Sequence, residues 1–196
     1  PVGRSLFLAG SVSDAVYVVR TGRIRLSRSD SDGATLALGL RSAGDVLGLA
    51  ELFTGADRVV EAYADQPSDV LRVPADQFLA WVRDRPAAMA VVLATLGARL
   101  RQVGDVAVSV AHDTAEVRVA RLLLALAERH GVTGRSSPGR HDGVTVQVTQ
   151  QQLAELVGAS RQTVSLAVGR LTGQGALTPR RGAVEVRVRA PRDRTR

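Results

Sequence analysis

The 196-residue chain contains no cysteine and no lysine. The first absence excludes disulfides, thiolate metal sites and cysteine nucleophiles. The second leaves arginine as the only permanently cationic side chain, a pattern expected from codon bias in a GC-rich genome, so the choice of arginine at any one position carries little information. Residues 1–111 also lack histidine. Neither a histidine-ligated haem nor a cysteine-bound iron–sulfur cluster can be built from them, and a cluster would need residues from a preceding segment. The three histidines, His112, His130 and His141, follow no metal-ligand spacing, so no metal site is expected. No apolar run approaches the roughly 18–20 residues that span a bilayer, which predicts a soluble, cytoplasmic protein with no membrane partner. There is no Ser/His/Asp arrangement, no carboxylate pair with a general-acid partner and no Walker-type loop, so an enzyme is not expected. The chain starts with Pro1 and opens almost directly into strand-like sequence, as expected of a fragment without its natural amino terminus.

What is present is unevenly placed. Residues 1–112 hold 12 arginines against 12 acids, whereas residues 113–196 hold 14 against 7, so the whole net charge of +7 lies in the last 84 residues. That is the charge balance phosphate neutralisation needs. The same segment contains TQQQLAELVGASRQTVSLAVGRL, residues 149–171. Thr149 followed by Gln152 is a capping box that starts a helix. Leu153, Leu156 and Val157 share one face, Gly158 permits a tight turn, and Ser160 caps a second helix. Val164, Val168 and Leu171 point that helix inward, leaving Ser160, Arg161, Gln162 and Ser165 outward near its amino end. Two capped helices joined by a short turn form a helix-turn-helix, whose second helix places its first residues against base edges. Arginine can bridge guanine O6 and N7, and glutamine adenine N6 and N7. The competing reading is an ordinary helix hairpin with a solvated polar face.

From Arg4 to Val73 short apolar or alternating runs (SLFLAG, AVYVVRTG, RIRLSRS, ATLALGLR, RVVEAYA, DVLRVP) are separated by turn residues, with Asp32-Gly33 the best hairpin signal; such spacing predicts a sandwich or barrel. Pro74-Ala75-Asp76 opens a helix with Phe78, Leu79 and Val82 on one face, ending near Pro86. Met89, Leu93, Leu96, Leu100, Val103, Ala107 and Val110 then recur at alternating spacings of 4 and 3, an a/d seam over three heptads. A strict seam favours a partner helix, and the alternative is a helix laid on its own barrel; Val91, Val92 and Val106 supply a second apolar flank. His112-Asp113-Thr114 breaks the seam. Val117, Val119, Ala120, Leu123, Leu124 and Ala127 form the predicted core face of the next helix, followed by a Gly/Ser/Pro-rich mobile loop over 131–143. VTVQVT reads as a strand, and LTPRRGAVEVRVRA as a hairpin turning at Arg181-Gly182, a wing whose Arg180 and Arg181 are placed to touch phosphate. The predicted organisation is residues 1–86 roll, 87–112 dimerisation helix and hinge, 113–190 winged helix-turn-helix, and 191–196 disordered tail.

The order of parts, and two strings in particular, GDVLGLAELF followed by Arg58, and VTQQQLAELVGASRQTVSLAVGRL, resemble the cyclic-AMP receptor protein/Fnr (Crp/Fnr) family of bacterial transcription regulators. The resemblance runs from about Arg4 to Val188. It implies an α+β chain with an amino-terminal cyclic-nucleotide-binding-type β-roll (a jelly roll), a long dimerisation helix and a carboxy-terminal winged helix-turn-helix. It also implies a homodimer that binds double-stranded DNA at an inverted repeat, and RNA polymerase as a further partner of an activator. The DNA contacts expected are Thr149, Gln150, Ser160, Arg161, Gln162, Thr163, Ser165, Arg170, Arg180 and Arg181, with Arg161 where the family reads guanine. Leu166 stands where some relatives carry a base-contacting arginine.

The string like the family's phosphate-binding cassette departs from it. Cyclic-nucleotide-binding members carry Gly-Glu-Leu, in which the glutamate holds the ribose hydroxyl; here Gly48 is followed by Leu49 and Ala50, Glu51 comes two positions late, and Arg58 is followed by Val59. Where the family has a base-contacting Thr-Ser pair on the long helix, this chain has Val103 and Gly104. The expected effector pocket therefore comprises Gly48, Leu49, Ala50, Glu51, Arg58, Val59, Leu100 and Val103, and takes an unidentified small molecule other than cyclic AMP, or none. Arg58 is either an anion ligand or a surface arginine paired with Asp57 or Glu61. A second function, an effector-binding or scaffold module making protein contacts without specific DNA binding, has no need of the +7 charge or of Arg161 at a helix head.

Overall fold

Alternation with a period of two governs the strands found between residues 5 and 74. The computed structural model describes residues 1–29, 35–130, 132–133 and 143–187, and the chain divides into two compact units, Pro1–Ala107 and Val108–Arg196. In the first unit, strands β1 (Ser5–Phe7), β2 (Ala15–Thr21), β3 (Arg23–Ser29), β4 (Thr35–Ser42), β5 (Val46–Leu47), β6 (Glu61–Ala64) and β7 (Asp69–Pro74) form two sheets, ordered β1-β6-β3-β4 and β5-β2-β7. All pairings among its described residues are antiparallel. β3 and β4 pair from Ser29↔Thr35 inward, as the Asp32-Gly33 signal requires, although the turn itself lies outside the described residues.

Along β2 the odd positions face the other sheet: Val19 and Tyr17 pack with Phe7, Ile24, Leu47, Ala62 and Ala64. The even position Val16 faces the opposite way, into a cluster with Leu49 and Leu52 of the short helix α1 (Leu49–Leu52) and Phe78 and Leu79 of α2 (Ala75–Arg83). Each fully buried aliphatic side chain in these layers contributes about 1.5–3 kcal/mol. The helix α3 (Pro86–His112) starts at a proline, where the missing N–H costs nothing. Its residue Leu96 packs onto the second cluster and Val92 is buried. The predicted second flank is thus narrower than expected: Val91 and Val106 are exposed, and only Val92 is covered.

The predicted boundary at 112/113 coincides with the end of α3, whereas the compact units part at 107/108, inside that helix. Within the second unit, Ser109 Oγ in the last turn of α3 donates to Asp113 Oδ2 at 2.6 Å, and Asp113 also binds the Arg121 guanidinium of the next helix. In that unit α4 (Ala115–His130) buries Val119, Leu123, Leu126 and Ala127. Two of its predicted core residues, Val117 and Leu124, are exposed, because the buried stripe runs through 119, 123, 126 and 127 and leaves them to one side. Helices α5 (Gln150–Val157) and α6 (Arg161–Gly173) pack on α4, and a sheet of order β10-β11-β9-β8 completes the unit. Its strands are β8 (Val132–Thr133), β9 (Gly143–Val146), β10 (Leu177–Arg180) and β11 (Ala183–Arg187). β8 lies within the segment read from sequence as a loop; most of that loop, His141 and the 191–196 tail lie outside the described residues.

Candidate nucleic-acid interface and effector pocket

The capping box predicted at Thr149 forms. Gln152 N–H donates to Thr149 Oγ1 at 3.2 Å and Thr149 N–H to Gln152 Oε1 at 2.7 Å, so two orphan donors are satisfied reciprocally. Gly158 ends α5 at φ 62°, the left-handed conformation that turns the chain sharply and that a side chain would strain. Ser160 Oγ then accepts the Thr163 N–H at 3.1 Å and starts α6. Val164, Ala167, Val168 and Leu171 hold that helix on the core. With the inner face so fixed, Arg161, Gln162, Thr163, Ser165, Leu166, Gly169 and Arg170 are exposed on the outer one.

The predicted DNA contacts do not all stand alike. Arg161 is exposed and shows no ion pair among the described residues, and the same holds for Arg181 in the turn of the wing. Ser160 is the cap, and its Oγ lies 2.8 Å from Thr163 Oγ1, so both hydroxyls are engaged locally. Gln150 is half-buried in the first turn of α5. Arg170 lies 3.8 Å from Glu116 Oε2, and Arg180 donates to Glu185 Oε2 at 2.7 Å. In both pairs the arginine is exposed, and surface pairs contribute only about 0–1 kcal/mol.

The cassette is arranged around Arg58. Its side chain is not on the surface: at 2% exposure it is among the most buried in the chain, which overturns its reading as a surface partner of Asp57 or Glu61. Asp57 is exposed, and Glu61 is taken by Ser27, Ser29 and Tyr63. The Arg58 N–H donates to Ser11 O and Gly10 N–H to Arg58 O, pinning its backbone beside the β1–β2 connection and aiming the side chain inward. There the guanidinium lies 4.5 Å above the Phe7 ring and Nη2 donates to Ala15 O. Glu51 Oε2 stands 3.8 Å from Nη1, an attractive separation but too long for a hydrogen bond. Nε and Nη1 are buried with no hydrogen-bond acceptor among the described residues, a deficit of about 1–3 kcal/mol for buried donors. Gly48, at φ 80°, closes the other side; a Cβ there would strain the backbone and collide with the guanidinium.

Of the predicted pocket residues, the structure brings Gly48, Glu51 and Arg58 together. Leu49, 2% exposed, is committed to the core with Val16 and Leu52. Ala50 and Val59 face solvent, and Leu100 and Val103 stand exposed on α3, at 74% and 64%. Two participants were missed. Phe7 had no local signal, since only the pairing of β1 with β6 and the path of Arg58 bring ring and guanidinium together. Arg99 continues the flank of Val92 and Leu96 at helical spacing and could have been found: its Nη2 donates to Val46 O in the cassette strand β5. Burial lowers the Arg99 pKa from the ordinary arginine value, while Asp45 and Glu51 oppose the shift.

Residues 1–85 match the cyclic nucleotide-binding domain family, and residues 117–192 the Crp-like helix-turn-helix domain family. The chain is 30% identical over 187 residues to the cyclic AMP receptor protein of Thermus thermophilus, covering 95% of this chain and 82% of that one. It is 29% identical over 175 residues to the CRP-like cAMP-activated global transcriptional regulator of Mycobacterium tuberculosis, covering 89% and 76%. Its fold is similar to that of the c-di-GMP responsive global regulator CLP of Xanthomonas campestris, at TM-score 0.83, 22% identity and coverage of 96% and 92%. These similarities run through both compact units, and the chain belongs to the Crp/Fnr family of transcription regulators.

Proposed function

We propose that this regulator works in the cytoplasm as a homodimer that reads an inverted repeat in double-stranded DNA, and that its roll responds to an anionic small molecule other than cyclic AMP. The observation that carries the DNA reading is the outer face of α6. Arg161, with no ion pair among the described residues, stands directly after the Ser160 cap, flanked by exposed Gln162 and Ser165, in the part of the chain that holds the entire +7 charge. The scaffold alternative gains nothing from that face. Selection of bound fragments from the host genome should recover an inverted repeat with half-sites about one helical turn apart. Recovery of fragments without a shared repeat would count against the reading.

The effector proposal rests on Arg58. Its buried, unsatisfied N–H groups fit an anionic oxygen, which would restore the missing hydrogen bonds. The position that holds a ribose hydroxyl in cyclic-nucleotide-binding relatives is Leu49, packed in the core, so a nucleotide sugar has no carboxylate there. Each lost polar contact is worth about 1–3 kcal/mol, and cyclic AMP should bind weakly or not at all in calorimetry. Binding at micromolar affinity would mean that Glu51 swings from Arg58 to the sugar. Arg99 supplies a path outward: any shift of β5 displaces the Val46 carbonyl to which this α3 side chain is bonded, and α3 carries the exposed seam. An activator would in addition meet RNA polymerase.

A further inference from the structure

The recognition face of α6 contains a residue that can neither pair with a phosphate nor hydrogen-bond a base edge. Leu166 is 62% exposed. A single exposed leucine needs no explanation by itself; its surroundings give it significance. On a helix, residues four apart lie one above another, so Gln162, Leu166 and Arg170 form one row and Arg161, Ser165 and Gly169 the row beside it. Leu166 thus sits in the middle of the face, one turn after Gln162 and one turn before Arg170, which leans to Glu116. Beside it Gly169 offers no side chain, and a Cβ there would meet nothing within 4 Å, so the helix surface next to Leu166 is open. The core does not need Leu166, because Val164, Ala167, Val168 and Leu171 already hold the helix.

We infer that Leu166 is a specificity-determining residue that covers the 5-methyl group of a thymine in each half-site, an inference that rests on α6 being the groove-reading helix. Among the groups on the floor of the major groove, the thymine methyl is the apolar one, and a leucine side chain is matched to it. A guanine or an exocyclic amine at that position would lose its water to a hydrocarbon that returns no hydrogen bond. Leu166 therefore both attracts thymine and penalises its competitors, complementing the polar reading by Arg161 and Gln162.

The test removes only the methyl group. Once a duplex carrying the selected repeat is in hand, each thymine of the half-site is replaced by deoxyuridine in both halves, and binding is measured by fluorescence anisotropy. One position should weaken binding about fourfold per half-site, on the order of fifteenfold for the duplex, the effect of losing one buried methyl-sized group. With Leu166→Ala, thymine and deoxyuridine duplexes should bind alike while discrimination at the Arg161-dependent base pair persists. A flat deoxyuridine scan, a half-site without thymine, or a loss that survives in Leu166→Ala would overturn the role of Leu166 while leaving DNA reading by α6 intact. Failure to select any repeat would instead remove the DNA reading itself, and this inference with it.

Discussion

Placing glutamate at both Leu100 and Val103 should yield a folded monomer. Both side chains are strongly exposed in the single chain, so the roll loses no packing when they become polar. They are neighbouring positions of a seam in which Leu93, Ala107 and Val110 are exposed as well. Were a second α3 laid along that seam, four carboxylates would be buried together without counter-ions, at a cost of several kcal/mol. Leu96 is a poor choice for this experiment despite its seam position, because it packs against the cluster that Val16, Leu49 and Leu52 form and its replacement would disturb the roll as well. Light scattering should report half the wild-type mass, with an unchanged far-ultraviolet circular dichroism spectrum. A double variant that stays dimeric at micromolar concentration would assign the interface elsewhere.

The second large effect is expected at the head of α6. Arg161→Ala should lose roughly 1–3 kcal/mol per half-site and relax the preference at one base pair, because a bidentate guanine contact discriminates by about that much. Arg181→Ala, in the turn of the wing, should weaken all sequences alike and lower the salt dependence by about one phosphate contact per subunit. The two variants share one helix-turn-helix core and differ only in exposed side chains, so a folding defect would not separate them. Binding-site selection with each protein, combined with a salt titration, distinguishes the outcomes. If Arg161→Ala keeps the wild-type consensus and loses affinity alone, Arg161 is a phosphate ligand.

Legibility in the sequence followed the range of the interactions involved. The Thr149–Gln152 box, the Gly158 turn and the Ser160 cap are contacts between residues three or four apart, and the residue types at those spacings specify them. The same holds for the inward face of α6, set by a period of 3.6, and for the strands of the roll, set by a period of 2. The a/d spacing of α3 was equally visible, yet it could not tell which flank meets the roll. Where two faces of one helix are both apolar, as at Val92 and Leu93, only the packing of Leu96 on the α1–α2 cluster selects between them.

Charge segregation and local spacing by themselves determined that this chain ends in a basic, wing-bearing helix-turn-helix with an arginine at the head of its second helix. The tertiary structure decided the fate of Arg58. An arginine between Asp57 and Val59 looks like surface in any window of sequence. It is buried because backbone bonds to Gly10 and Ser11, nearly fifty residues away, turn it toward Phe7 and Ala15 and leave two of its nitrogens without an acceptor among the described residues. Such a site is defined by which strands lie side by side, and strand adjacency depends on the summed burial of the whole roll, which no local pattern encodes.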